Sequence, residues 1–110
     1  MTYRITEIWP DVLNGDQAAW EKVVAHYANL VFAVAGRSGL TGSDAEDCAQ
    51  QVWMALYTGR HRVERPESLP AWLVSTTRRK AARLLRRQKT ADRAHRQLSS
   101  NPTSLPPDET

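Results

Sequence analysis

The sequence predicts an all-α protein, a compact bundle of three main helices preceded by a short N-terminal helix. Three observations carry that expectation. Apolar residues recur at three- and four-residue steps over most of the chain, and no two-residue alternation persists beyond a few positions. Helix-start residues (Asp16, Ser43, Ser68) stand ahead of the long periodic segments. Glycines follow where two of those segments should close (Gly36 and Gly39, then Gly59). With 110 residues, 41% of them hydrophobic, the chain holds one domain with a small core.

Each element has its own local reason. Pro10 to Asn14 reads as the short leading helix, with Pro10 in its first turn and Gly15 closing it. Asp16 is the expected N-cap of the first main helix, which runs to about Arg37. Along it Trp20, Val23, Val24, Tyr27, Leu30, Val31 and Val34 form a wide apolar stripe. The second main helix opens at Ser43-Asp44-Ala45-Glu46, which fits a capping box. Its inward face is Ala45, Cys48, Ala49, Val52 and Leu56, while Asp47, Gln50, Gln51 and Met54 make a ridge beside that seam. Residues 58 to 68 hold no periodic pattern and read as an ordered or semi-ordered loop. Ser68 or Leu69 then caps the third main helix, with Pro70 in its tolerated first turn, continuing to about Lys89. Leu69, Leu73, Thr77, Ala81, Leu84 and Leu85 are its inward positions; Ser75, Arg78, Arg79, Arg83 and Arg86 share the opposite face. The tail after Leu98 contains three of the six prolines and reads as a disordered Pro-rich linker.

The net charge of +3 conceals an asymmetry. Residues 1 to 59 hold three basic and seven acidic side chains, a net −4, whereas residues 60 to 97 hold twelve basic and three acidic, a net +9. An acidic first half beside a basic block suggests two partners, one of them a polyanion. Catalysis finds no support: there is no nucleophile motif and no glycine-rich phosphate loop. The lone Cys48 lies on an inward face as a core thiol, and His26, His61 and His95 are too scattered to hold a metal. No cofactor is expected. No apolar run spans a bilayer and no secretion signal opens the chain, so the expected location is cytoplasmic, without a membrane partner.

Arg78, Arg79, Arg83, Arg86 and Arg87 recur so as to track a phosphate backbone, although a solvated amphipathic face gives the same pattern. Trp72 has two readings: a wall on which an unpaired base stacks, or a core plug. Trp53 flanks the buried seam of its helix, at an interhelical edge.

At these residues the chain resembles a known family. DAEDCAQQVWMALY (Asp44 to Tyr57), a loop of about a dozen residues, and LPAWLVSTTRRKAARLLRR (Leu69 to Arg87) closely resemble region 2 of the extracytoplasmic-function sigma factors of the sigma-70 family. GDQAAWEKVVAHYANLVFAVA (Gly15 to Ala35) looks like that family's opening helix. The resemblance implies docking on the clamp helices of the largest subunit of core RNA polymerase, carried here by Asp47, Gln50 and Gln51, with Asp44, Trp53 and Met54 nearby. It implies that the loop, with Arg60, His61, Arg62 and Arg65, and the helix start, with Leu69, Trp72, Leu73 and Thr76, receive an unstacked non-template base of the promoter's −10 element. Arg78, Arg79, Lys80, Arg83, Arg86 and Arg87 would then hold phosphates, since phosphate contacts position and base contacts specify. An anti-sigma factor is a further partner of this class.

Three positions depart from the pattern. Gln51 replaces the usual glutamate, Arg79 stands where asparagine is common, and Arg83 where aspartate is common. The helix is more basic for it, so the exact −10 preference does not transfer; the TTRR variant resembles a subset of actinobacterial members. The expected organisation is a region 2 domain over residues 1–97 and an inter-domain linker over 98–110. Nothing matches region 4, the −35-reading domain of such factors, so the chain reads as a part of a longer protein. A freestanding helical module that binds nucleic acid without polymerase is the alternative, and it leaves the ridge of Asp47, Gln50 and Gln51 without a use.

Overall fold

The computed structural model describes residues 4–99, and all the regular structure among them is helical. Four α-helices follow in order: α1 (Ile5–Leu13), α2 (Gln17–Arg37), α3 (Gly42–Thr58) and α4 (Leu69–Ser99). Two single 3-10 turns, Arg60–Arg62 and Pro66–Ser68, lie between α3 and α4. The all-α expectation holds.

α1 starts earlier than the sequence suggested. The Arg4 backbone N–H donates to Glu7 Oε1 at 3.1 Å, so Glu7 caps the helix at Arg4 and Pro10 falls inside it. Proline costs a helix its bond to the carbonyl four residues back. Here that carbonyl belongs to Thr6, which is exposed. α2 begins as expected, with Asp16 Oδ1 accepting from the Ala19 N–H at 3.1 Å. It ends in a Schellman motif: Leu40 N–H to Ala35 O (3.1 Å) and Gly39 N–H to Gly36 O (3.0 Å), with Gly39 at φ +111. The expected capping box at Ser43 is not formed. Gly42, at φ +56, already belongs to α3, and Thr41 is the N-cap, its carbonyl accepting from Asp44 and Ala45.

One core joins all four helices. α2 and α3 both pack on α4 and on each other, and α1 packs on α2. The inward face foreseen for α3 is buried in full: Ala45, Cys48, Ala49, Val52 and Leu56. On α2 the buried line is Ala19, Val23, Tyr27, Val31, Val34 and Ala35, leaving Trp20 and Leu30 only partly covered. Two threonines are buried on α4. Thr77 satisfies its hydroxyl by donating to Leu73 O at 2.6 Å, and its own carbonyl accepts a weak bond from Cys48 Sγ at 3.7 Å. α4 continues about ten residues beyond the expected end, through the 97/98 boundary drawn from sequence. The remainder of the expected linker, from residue 100, lies outside the described residues.

Candidate functional site

Three surfaces meet around the α3–α4 connection. The first is the outer face of α3. Asp47, Gln50 and Met54 recur at three- and four-residue steps and are exposed, Met54 at 67%; Asp44, Gln51 and Trp53 are half-buried beside them. Trp53 meets Trp20 of α2 edge-to-face, with centroids 6.2 Å apart, and Trp20 in turn meets Tyr57 at 5.0 Å. Trp20, Trp53, Met54, Tyr57 and Thr58 line a depression of about 320 Å³. The polar ridge therefore runs into an aromatic patch. Sequence reading missed Trp20 and Tyr57 here, because it assigned Trp20 to the core stripe and gave Tyr57 no role.

The second surface is the loop. Arg62, Val63, Glu64, Arg65 and Ser68 line a cleft of about 440 Å³ whose other wall includes Ala55, Leu56, Leu69 and Trp72. That volume lies within the range of about 300–1,000 Å³ usual for small-ligand sites. Arg62 and Arg65 are exposed at the cleft, as is Glu64, which the sequence did not single out; His61 is exposed but outside the lining. Trp72 is half-buried against the core and also lines the cleft. Arg60 is otherwise occupied. Its guanidinium stacks on the Tyr57 ring at 4.0 Å and donates from Nη1 to Tyr57 O at 2.9 Å, while its Nε is buried. That geometry secures the end of α3 instead of presenting a free charge.

The third surface is the exposed face of α4. Arg78, Arg79, Arg83, Arg86 and Arg87 all lie on solvent, over about 14 Å of helix. Arg79 is braced along its own helix, donating to Ser75 Oγ (2.9 Å) and Thr76 Oγ1 (3.2 Å). Lys80 is half-buried, close enough to Cys48 to oppose the upward shift that burial gives the thiol. Three candidates do not reach this surface. Leu69, Leu73 and Thr76 are 1%, 0% and 2% exposed and belong to the core. They share the inward stripe of Thr77 and Ala81, so a base cannot touch Leu73 or Thr76 without opening the bundle. Thr76 braces Arg79 from below, its hydroxyl oxygen accepting from the guanidinium.

Among the described residues no group of three or more His, Cys, Asp or Glu is placed to hold a metal ion. Nor, among them, is any helix long and apolar enough to cross a membrane. No curated protein and no solved structure matches the chain. A family model described as Sigma-70 region 2 matches residues 23–91. That span takes in most of α2, all of α3, the loop with its cleft, and α4 past Arg87, so every residue of the three surfaces except Trp20 falls within it. The chain belongs to the sigma-70 region 2 family, whose members act in promoter recognition at transcription initiation.

Proposed function

We propose that this chain is the region 2 domain of an extracytoplasmic-function sigma factor with three working surfaces. The outer face of α3, centred on Asp47, Gln50 and Met54, docks on the clamp helices of the largest polymerase subunit. The cleft under the loop takes an unstacked non-template base of the −10 element, with Trp72 as its aromatic wall and Arg62, Glu64 and Arg65 at its rim. The arginines of α4 hold the flanking phosphates, and capture of the extruded base helps to keep the promoter melted. The observation that carries the reading is the cleft itself: irregular backbone and an aromatic wall open beside a regular, exposed arginine face. Base stacking on such a wall is worth roughly 1–3 kcal/mol. The exposed α3 ridge favours a polymerase partner over a freestanding nucleic-acid module, which would need only the basic face.

The deciding experiment separates the surfaces. Asp47→Lys with Gln50→Lys is expected to abolish pull-down of core polymerase while leaving stability within about 0.5 kcal/mol, because both side chains are exposed. Alanine at Arg62 or Arg65 should leave pull-down intact and change which −10 base is preferred in single-stranded binding. Undiminished polymerase capture by the double variant, or a uniform loss over all bases in the loop variants, would overturn the assignment.

A further inference from the structure

The loop has few anchors of its own. Neither 3-10 turn contributes a buried residue. The bonds that close them, Arg62 N–H to Gly59 O and Ser68 N–H to Arg65 O, both 2.9 Å, are local. Val63, between the turns, is partly buried against the core. The adjoining helices hold the ends of the loop, α3 the first turn through Arg60 on Tyr57 and α4 the second, while α1 packs on both turns as well as on α2. The buried face of α1 is Ile8, Trp9 and Val12, and Trp9, at 3% exposed, is the largest of them. Its indole Nε1 is buried without a hydrogen-bond partner. An unsatisfied buried donor is unfavourable, and phenylalanine would avoid it, so the bulk of the ring is what this position uses. α1 also lies entirely outside residues 23–91, the segment matched by the family model.

We propose that α1 is a positioning element for the base-reading loop, with Trp9 as the wedge that fixes the path of residues 60–68 and hence the shape of the cleft. The idea rests on the base-reading role proposed above, but its first readout does not. A loop held only by short-range bonds samples many paths, and a cleft lined by it discriminates between bases only if one path dominates. Side-chain bulk from α1 removes the alternatives. Trp9 touches no base in this scheme; it acts through the loop.

The test uses the full chain with Trp9→Leu, which keeps the site apolar but removes the ring, and Trp9→Phe, which keeps a ring and removes the donor. In Trp9→Leu the amides of Arg62, Val63 and Ser68 should exchange roughly ten-fold faster, the response to ~1.4 kcal/mol of local opening, while those of Val52 and Leu56 in α3 stay as in the parent. The same variant should lose most of the roughly 5- to 150-fold preference that one base contact confers, with polymerase capture and the salt dependence of DNA binding unchanged. Trp9→Phe should restore both. Loop exchange equal to the parent's in Trp9→Leu would overturn the inference, and so would parallel acceleration in the loop and α3, which marks an ordinary core residue. Faster loop exchange with intact base preference would uphold the positioning by α1 and remove the base-reading role from the loop instead.

Discussion

Cys48 lies at the centre of the bundle with its sulfur 3.7 Å from the Thr77 carbonyl, and burial pushes its thiol up, the nearby Lys80 offsetting this in part. A raised folded-state value means that the unfolded chain releases this proton first. Tyr27 behaves alike, raised by burial. Stability therefore falls as pH climbs past the ordinary thiol value of about 8.5, and then past about 10 for the phenol. A thiol reagent at neutral pH should modify Cys48 only at the rate of global unfolding; rapid labelling of the native protein would contradict its placement. At this scale the sequence was most readable where one helical period decides, as for Ala45, Cys48, Ala49, Val52 and Leu56 on α3. It failed where a residue carried two assignments. Leu73 was both inward by spacing and base-contacting by resemblance, and its burial away from the cleft favours the first; Leu69 is buried yet forms part of the cleft wall. The engagement of Arg60 with Tyr57 was not readable, because it depends on the chain turning back at Gly59.

Among the elements, α4 does two jobs with two faces. Leu69, Leu73, Thr77 and Ala81 fasten it to α2 and α3, so its arginines are displayed on a helix anchored to the core. Arg83→Ala and Arg86→Ala should each weaken DNA binding alike for all −10 variants and reduce the slope of log affinity against log salt by nearly one. A change of base preference in either would move the base pocket away from the loop. The bounds of α2 and the start of α4 were legible because their signals are local: the Asp16 cap, the Gly39 stop and Pro70. The start of α1 was not, since proline at a first turn is the commoner placement and the Arg4–Glu7 pairing carries no strong sequence signature. The contact of α1 with the loop is tertiary, and no spacing within either segment encodes it.

For the molecule as a whole, a single cluster of buried residues draws on all four helices. A domain of this size with one shared core should unfold in one step, its calorimetric enthalpy equal to the van't Hoff value. A separate low-temperature transition would mean that α1 or the far end of α4 melts alone. The division of charge foreseen in the sequence maps onto separate surfaces, with Asp44 and Asp47 on α3 and the arginines on α4, so oppositely charged partners have separate places to approach. The indoles of Trp20 and Trp53 stand perpendicular, at 88°, with centroids 6.2 Å apart at the margin of the α3 ridge. Two indoles held this close and at one angle are expected to couple their strong far-ultraviolet transitions, so that the circular dichroism of the chain depends on that angle. On the docking proposed for the α3 ridge, a protein seated over Met54 is expected to perturb that signal, which gives the proposal an unlabelled optical readout.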